Sequence, residues 1–142
     1  MRKLLLPLLV MTLGLSCTKQ KTFNRTFFHT ILAPSNEVPA RSSPAYGDAS
    51  GYYDNDTKIL TLTVNYYNLR APLVAWHIHK AATGTNGPVI FNFGDPKSSG
   101  FIYVSAPFTP DQEADLMNGL NYVNLYTSVF PGGEIRGQLQ KF

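Results

Sequence analysis

Short segments of alternating apolar and polar residues, each bounded by a turn, are the feature that most constrains the fold of this chain. Residues 59–68 show the pattern most clearly, because Leu60, Leu62 and Val64 alternate with threonine and asparagine. Successive side chains of a strand point to opposite faces of a sheet. A period of two therefore predicts a strand with one face in the core and the other in water.

The same alternation recurs along the chain between clusters of glycine, proline, asparagine and aspartate. One segment departs from it, because Thr109, Pro110 and Gln112 form a capping box that starts a short helix ending at 118–119. The chain is therefore predicted to be all-β, an antiparallel Greek-key-like β-sandwich of about seven to eight strands with one short helix. The predicted strands are 23–32, 47–53, 59–68, 74–80, 89–93, 101–105, 120–127 and 134–140.

The first residues are predicted to be a secretory signal. Two basic residues precede an apolar run at 4–15, which is too short to span a bilayer. The run is followed by Cys17, the single cysteine of the chain, which has no partner for an internal disulfide. Residues 14–17 resemble the lipobox of bacterial lipoproteins, although Gly14 stands where that motif usually has leucine. The resemblance implies that Cys17 carries a lipid anchor.

The sequence thus divides into a signal peptide at 1–16, a lipidated cysteine with a short tether at 17–21, and one domain at 22–142. Removing the signal takes two basic residues away, so 12 Lys and Arg against 9 Asp and Glu become 10 against 9. The domain sequence has no basic cluster, so nucleic-acid binding is not predicted. We expect the exported protein to lie at the bacterial outer membrane or its periplasmic face, held by the lipid on Cys17.

The candidate site residues are two histidines in the predicted strand 74–80. His77 and His79 are two positions apart and therefore share one face of the strand. Two imidazoles on one face offer ligands to copper or zinc, but such a site needs three or four ligands, so His29 or a carboxylate such as Glu134 would have to lie within reach of the pair. The alternative is that both histidines are structural and hydrogen-bond to a neighbouring strand. The candidate partners for this second role are Asn124, Tyr126 and Glu134.

Two other polar groups have simpler interpretations. Asp54 and Asp56 fit a turn that satisfies its own backbone, because no EF-hand spacing follows them. Glu134 and Arg136 alternate onto one face of the last predicted strand, where a solvated ion pair is expected. The sequence contains neither a serine nucleophile elbow nor a phosphate-binding loop, so no catalytic or cofactor-binding residue is predicted.

Adjacent tyrosines indicate a further candidate surface. In each of the pairs Tyr52-Tyr53 and Tyr66-Tyr67, the two rings lie on opposite faces of the strand. The outward rings could stack on sugars or on a protein surface, which would make the domain adhesive. Packing at the rim of the sheet is the alternative interpretation.

Several short motifs, taken in order, resemble the CHRD domain family, named after the developmental regulator chordin. The resemblance implies an antiparallel β-sandwich with a distant likeness to copper/zinc superoxide dismutases, and bacterial members of the family are commonly exported and lipid-anchored. The motifs lie between residues 26 and 139 and are Glu37-Val38-Pro39, Gly51, Trp76-His77-Ile78-His79, Gly84, Gly87-Pro88-Val89, 119–124 and 131–139.

The dismutase likeness also implies a third histidine, which CHRD domains usually place in an Asn-x-His-Thr pattern. Here the pattern is 124–127, and Tyr126 replaces that histidine. We therefore expect a non-catalytic binding or structural module of the cell envelope, with an unidentified protein or glycan partner. The alternative function is copper or zinc binding by His77 and His79 within superoxide-dismutase-like architecture.

Overall fold

The structure, a computed structural model, describes residues 22–142. The predicted signal peptide at 1–16 and the tether with Cys17 lie outside the described residues. Within 22–142, no helix is both long and apolar enough to cross a membrane. The described elements are β1 (Arg25–Leu32), a 3₁₀ turn (Pro34–Asn36), β2 (Tyr46–Asp54), β3 (Ile59–Tyr67), β4 (Leu73–Lys80), β5 (Val89–Asn92), β6 (Phe101–Val104), α1 (Pro110–Met117), β7 (Asn121–Thr127), β8 (Ile135–Gln138) and β9 (Gln140–Lys141).

The strands form two antiparallel sheets that pack face to face, which confirms the predicted all-β sandwich. The five-stranded sheet has the order β6-β3-β2-β1-β9, and the four-stranded sheet has the order β5-β4-β7-β8. The described part of the chain has nine strands, because the last predicted strand divides at Leu139. The Leu139 N–H donates to the Asn121 carbonyl on β7, whereas β9 pairs with β1 in the other sheet. The chain therefore changes sheets at this residue.

The core lies between the sheets and is built from the inward residues of each strand. Leu60, Leu62 and Val64 of β3 are fully buried, as their alternation predicts. Trp76 of β4 lies across the core from Phe101 of β6, with ring centroids 3.6 Å apart. The strands of the two sheets are thus held together by interdigitated aromatic and aliphatic side chains.

The local signals for the helix and for the aspartate turn are both confirmed. The Gln112 N–H donates to Thr109 Oγ1, and the Thr109 N–H donates to Gln112 Oε1, which completes the capping box. The helix ends at Met117, with Asn118 as its C-cap, and Gly119 follows with φ of 69°. At the β2–β3 turn, Asp54 Oδ1 accepts hydrogen bonds from the backbone N–H groups of Asp56 and Thr57.

Candidate functional site

The histidine pair lies on β4, a central strand of the four-stranded sheet. His77 faces Asn124 and His79 faces Tyr122 on the neighbouring β7. Both imidazoles are on the outer face of the sheet, because the residue between them, Ile78, is fully buried in the core. Their ring centroids are 5.7 Å apart. The prediction that the two histidines share a face is therefore confirmed.

Both nitrogens of His79 are engaged in hydrogen bonds. Nδ1 lies 2.9 Å from the Gly87 carbonyl oxygen, and Nε2 lies 2.6 Å from the Tyr126 hydroxyl. A carbonyl oxygen only accepts, so Nδ1 carries the proton and Nε2 accepts from Tyr126. The ring also stacks on Tyr122 at 4.7 Å. Burial lowers the pKa of His79, which favours this neutral form.

A third metal ligand is not brought to the histidine pair. Within residues 22–142, no group of three or more His, Cys, Asp or Glu side chains is placed to hold a metal ion. His29 lies on β1 of the other sheet, and Glu134 is engaged elsewhere. The His79 partners are a tyrosine and a backbone carbonyl, and Tyr126 is the one predicted structural partner that makes a hydrogen bond to the pair. The contacts therefore favour the structural role.

The expected solvated ion pair of Glu134 and Arg136 is wrong. Glu134 is fully buried and Arg136 is 2% exposed. Glu134 accepts hydrogen bonds from Ser43 and Thr127 and from a backbone N–H, at 2.6 to 2.8 Å. These contacts fasten the segment before β2 over the outer face of the sheet. The alternation along β8 is as predicted, but loops cover the face that was expected to be in water.

Arg136 fastens a second covering loop, which follows β4. Its guanidinium carbon lies 3.7 Å from the centroid of the Tyr122 ring. Its terminal nitrogens donate to Asn86 Oδ1 at 3.0 Å and to the Thr85 carbonyl at 2.8 Å. A buried guanidinium is stable when its donors are satisfied, and the aromatic face adds a cation–π contact. Arg136 thus acts as the bridge between β7, β8 and this loop.

Glu37 is a further residue of this cluster, and sequence reasoning gave it no functional role. It follows the 3₁₀ turn and is 4% exposed. Its Oε1 atom has no hydrogen-bond partner within the described chain, and the same is true of Asn124 Oδ1. A Cβ at Gly133 would lie 2.6 Å from the first atom and 2.7 Å from the second, so the two acceptors border one small space.

The environment of Glu37 changes its protonation. Burial raises the pKa of its carboxyl group from 4.5 to about 7, although the nearby Arg136 and Arg41 charges and the adjacent Asn124 side chain act in the opposite direction. The carboxyl group therefore changes between its protonated and ionised forms near neutral pH. A protonated carboxyl group can donate a hydrogen bond, whereas the ionised form only accepts.

A surface cavity of about 410 Å³ opens beside this cluster. It lies between the 3₁₀ turn, the loop after β4 and strand β8. The Gln138 amide nitrogen is already used by the Ala81 and Gly119 carbonyls, so its carbonyl oxygen is the group left for another partner. Most lining residues thus carry polar groups, and one of them is an acid whose pKa is about 7. The principal lining residues are Thr30, Glu37, Thr83, Arg136, Gln138 and Gln140.

The tyrosine pairs are oriented as predicted. Tyr53 is fully buried and Tyr66 packs against the core, whereas Tyr67 is exposed and stacks on Tyr46 at 5.1 Å. Tyr52 lies on the outer face of β2. One ring of each pair therefore points inward and the other outward.

The fold and the buried polar cluster define an antiparallel β-sandwich whose smaller sheet is covered by loops held through charged side chains. The family model of the CHRD domain matches residues 28–139, so the chain belongs to the CHRD-domain family. This match runs from β1 to the end of β8 and confirms the predicted resemblance. No curated protein and no solved structure matches the chain significantly. The likeness to copper/zinc superoxide dismutases stays a prediction.

Proposed function

We propose that this CHRD-domain protein is an exported, lipid-anchored and non-catalytic binding module of the bacterial envelope, and that the polar cavity beside Glu37 and Arg136 is its binding site. The observation that carries the proposal is the placement of two almost fully buried charged side chains in the lining of an open cavity. Binding sites commonly combine a concave surface with a few fixed polar groups.

The hydrogen bonds of the buried charged residues support this location of the binding site. The terminal nitrogens of Arg136 and the oxygens of Glu134 have partners that hold the covering loops in place. Glu37 differs, because it keeps an unpaired buried oxygen, and such an atom costs about 1–3 kcal/mol. A ligand that reaches the Glu37 carboxyl group from the cavity and donates a hydrogen bond to it would offset that cost.

The chemistry of the lining favours a neutral ligand rich in hydroxyl or amide groups. Thr30 and Thr83 supply hydroxyl groups, and Gln138 and Gln140 supply carboxamides. These groups both donate to and accept from a polar neutral molecule. Of the predicted partners, a glycan of the envelope has this chemistry.

The lipid anchor is supported by the sequence alone. Cys17 follows an apolar run at the spacing of a lipobox, and the chain contains no second cysteine. Metal binding is not favoured as an alternative function, because His79 uses both of its nitrogens within the domain.

Two experiments test the proposal. Nuclear magnetic resonance spectra of isotope-labelled protein spanning residues 18–142 are recorded while soluble fragments of cell-wall glycan are added. We expect shifts at Thr83, Gln138 and Gln140, whereas shifts elsewhere, or none, would contradict the cavity as a glycan site. For the anchor, the full chain is expressed in bacteria with labelled palmitate. Label that is incorporated and then lost in Cys17→Ser is the expected result, and an unlabelled protein would exclude the anchor.

A further inference from the structure

Exposed aromatic rings cluster at one corner of the five-stranded sheet. Phe23, Phe27 and Phe142 are 62%, 47% and 78% exposed. The centroid of the Phe27 ring lies 6.1 Å from that of the Phe142 ring and 6.4 Å from that of the Tyr52 ring. The Arg25 guanidinium carbon lies 4.3 Å from the centroid of the Phe23 ring and 3.9 Å from that of Tyr52. We refer to these five residues as the aromatic corner.

Strand pairing holds the aromatic corner together. Phe27 of β1 stands opposite Tyr52 of β2, and the Phe142 N–H donates to the Phe27 carbonyl at 3.2 Å. Phe27, Tyr52 and Phe142 therefore have a fixed arrangement on the outer face of the sheet. Large apolar side chains gathered on an exposed surface commonly mark a site of interaction with a partner or a membrane.

The position of the aromatic corner indicates which partner it meets. Phe23 is six residues after Cys17, and six residues span at most about 20 Å when fully extended. If Cys17 carries a lipid, as the proposed function states, the corner cannot lie further than this from the bilayer surface. Lys19 and Lys21 fall within the same six residues and add positive charge to the approach.

We propose that the aromatic corner docks on the lipid–water interface of the bilayer that carries the anchor. Aromatic rings favour the headgroup region, where one part of the ring is in apolar surroundings and the other is near water. The lysines of the tether are attracted to anionic lipids. Within the corner the Arg25 charge is balanced by Asp54, at 4.0 Å, so the rings make the larger contribution there.

Docking at this corner also orients the proposed binding cavity. The corner lies at the start of β1, whereas the 3₁₀ turn on the far side of the cavity follows its end, about 23 Å along the strand. The near side of the cavity is at Gln140, two residues before Phe142. A domain that rests on its aromatic corner keeps the turn away from the lipid. The cavity would then open beside the membrane surface, with its side at the 3₁₀ turn facing the aqueous compartment.

The test uses residues 18–142, because the described residues enclose a complete two-sheet core. The protein is floated with vesicles of phosphatidylethanolamine and phosphatidylglycerol. We expect binding that falls about tenfold or more when Phe23, Phe27 and Phe142 are each replaced by serine, since three apolar side chains no longer enter the interface. Thermal melting of every variant is measured to check that it is folded.

A matched control removes apolar surface from the opposite edge of the same sheet face. Ile102→Ser with Val104→Ser changes two residues of β6 that are 67% and 59% exposed. This variant is expected to bind vesicles like the unmodified protein. Equal loss in both variants, or no binding by the unmodified protein, would overturn the proposal. Self-association that needs the three phenylalanines, without vesicle binding, would instead identify a second copy of the chain as the partner and also overturn it.

The vesicle-binding experiment tests the docking surface independently of the lipid anchor. The tested fragment lacks Cys17, so vesicle binding reports on the aromatic corner and the tether lysines without the lipid, and the three-phenylalanine variant isolates the share of the corner. Failure of palmitate labelling would remove the anchor while leaving a vesicle-binding corner in place. Failure of vesicle binding would remove the docking surface while leaving the anchor in place.

Discussion

Replacement of the buried acid, Glu37→Gln, should make the domain more stable at alkaline pH. The folded state holds the Glu37 proton more tightly than the unfolded chain, because burial raises its pKa from 4.5 to about 7. Stability is therefore lost as the pH rises from 4.5 through 7. A difference of about 2.5 pKa units corresponds to about 3 kcal/mol at pH 8. Glutamine keeps the shape of the side chain and has no proton to lose.

Urea unfolding at pH 4.5, 6 and 8 measures this effect. The free energy of unfolding of Glu37→Gln should exceed that of the unmodified protein by about 3 kcal/mol at pH 8, and the difference should vanish near pH 4.5. The comparison at each pH is essential, because burial lowers the pKa values of His77 and His79. Those histidines make both proteins more stable as the pH rises through their titration range, in the direction opposite to Glu37.

Glu113→Gln is the control for this prediction. Glu113 is a partly exposed carboxylate on α1 that accepts from Lys58 at 2.9 Å. Its replacement removes one carboxyl group outside the buried cluster, so the loss of stability caused by Glu37 as the pH rises should remain. If Glu37→Gln shows the same pH dependence as the unmodified protein, the buried carboxyl group does not titrate as described and the reasoning is refuted.

Three further substitutions test separate contacts by urea unfolding. Tyr126→Phe removes the hydrogen bond to His79 and should cost about 1–2 kcal/mol; no change would show that this contact is not formed in solution. Gly133→Ala should destabilise by more than about 2 kcal/mol, since φ is 109° and the new Cβ would lie 2.6 Å from Glu37 Oε1; a neutral effect would show that the turn can relax. Thr109→Ala should cost about 1 kcal/mol through loss of the helix cap, and a loss below a few tenths would contradict the capping box.

Local patterns predicted most of the elements of this fold. Alternation at 59–68 predicted β3 and its buried face, because the side-chain period of a strand is a property of neighbouring residues. The capping box predicted the start of α1 for the same reason. The two-residue β9 was not separated from β8, because the change of sheet at Leu139 depends on a hydrogen bond to Asn121, which lies far away in sequence.

The candidate site was less predictable, because its burial depends on loops from other parts of the chain. The histidine face was predicted from the spacing of His77 and His79. The alternation that placed Glu134 and Arg136 on one face gave no information about what covers it. Ser43 and Thr85 close that face from segments far from β8 in sequence. Glu37 was visible in the sequence only as part of a family motif, since an acid after a 3₁₀ turn carries no local sign of burial.

Isothermal calorimetry of residues 18–142 with soluble cell-wall glycan fragments tests the central claim, the location of the binding site, most directly. Thr83→Trp places a large ring in the cavity lining, and Thr57→Trp adds the same ring at an exposed turn far from the cavity. The unmodified protein and Thr57→Trp should bind equally, whereas Thr83→Trp should lose binding without losing stability. Equal binding by Thr83→Trp, or no heat from the unmodified protein, would contradict the assignment of the cavity as the glycan-binding site.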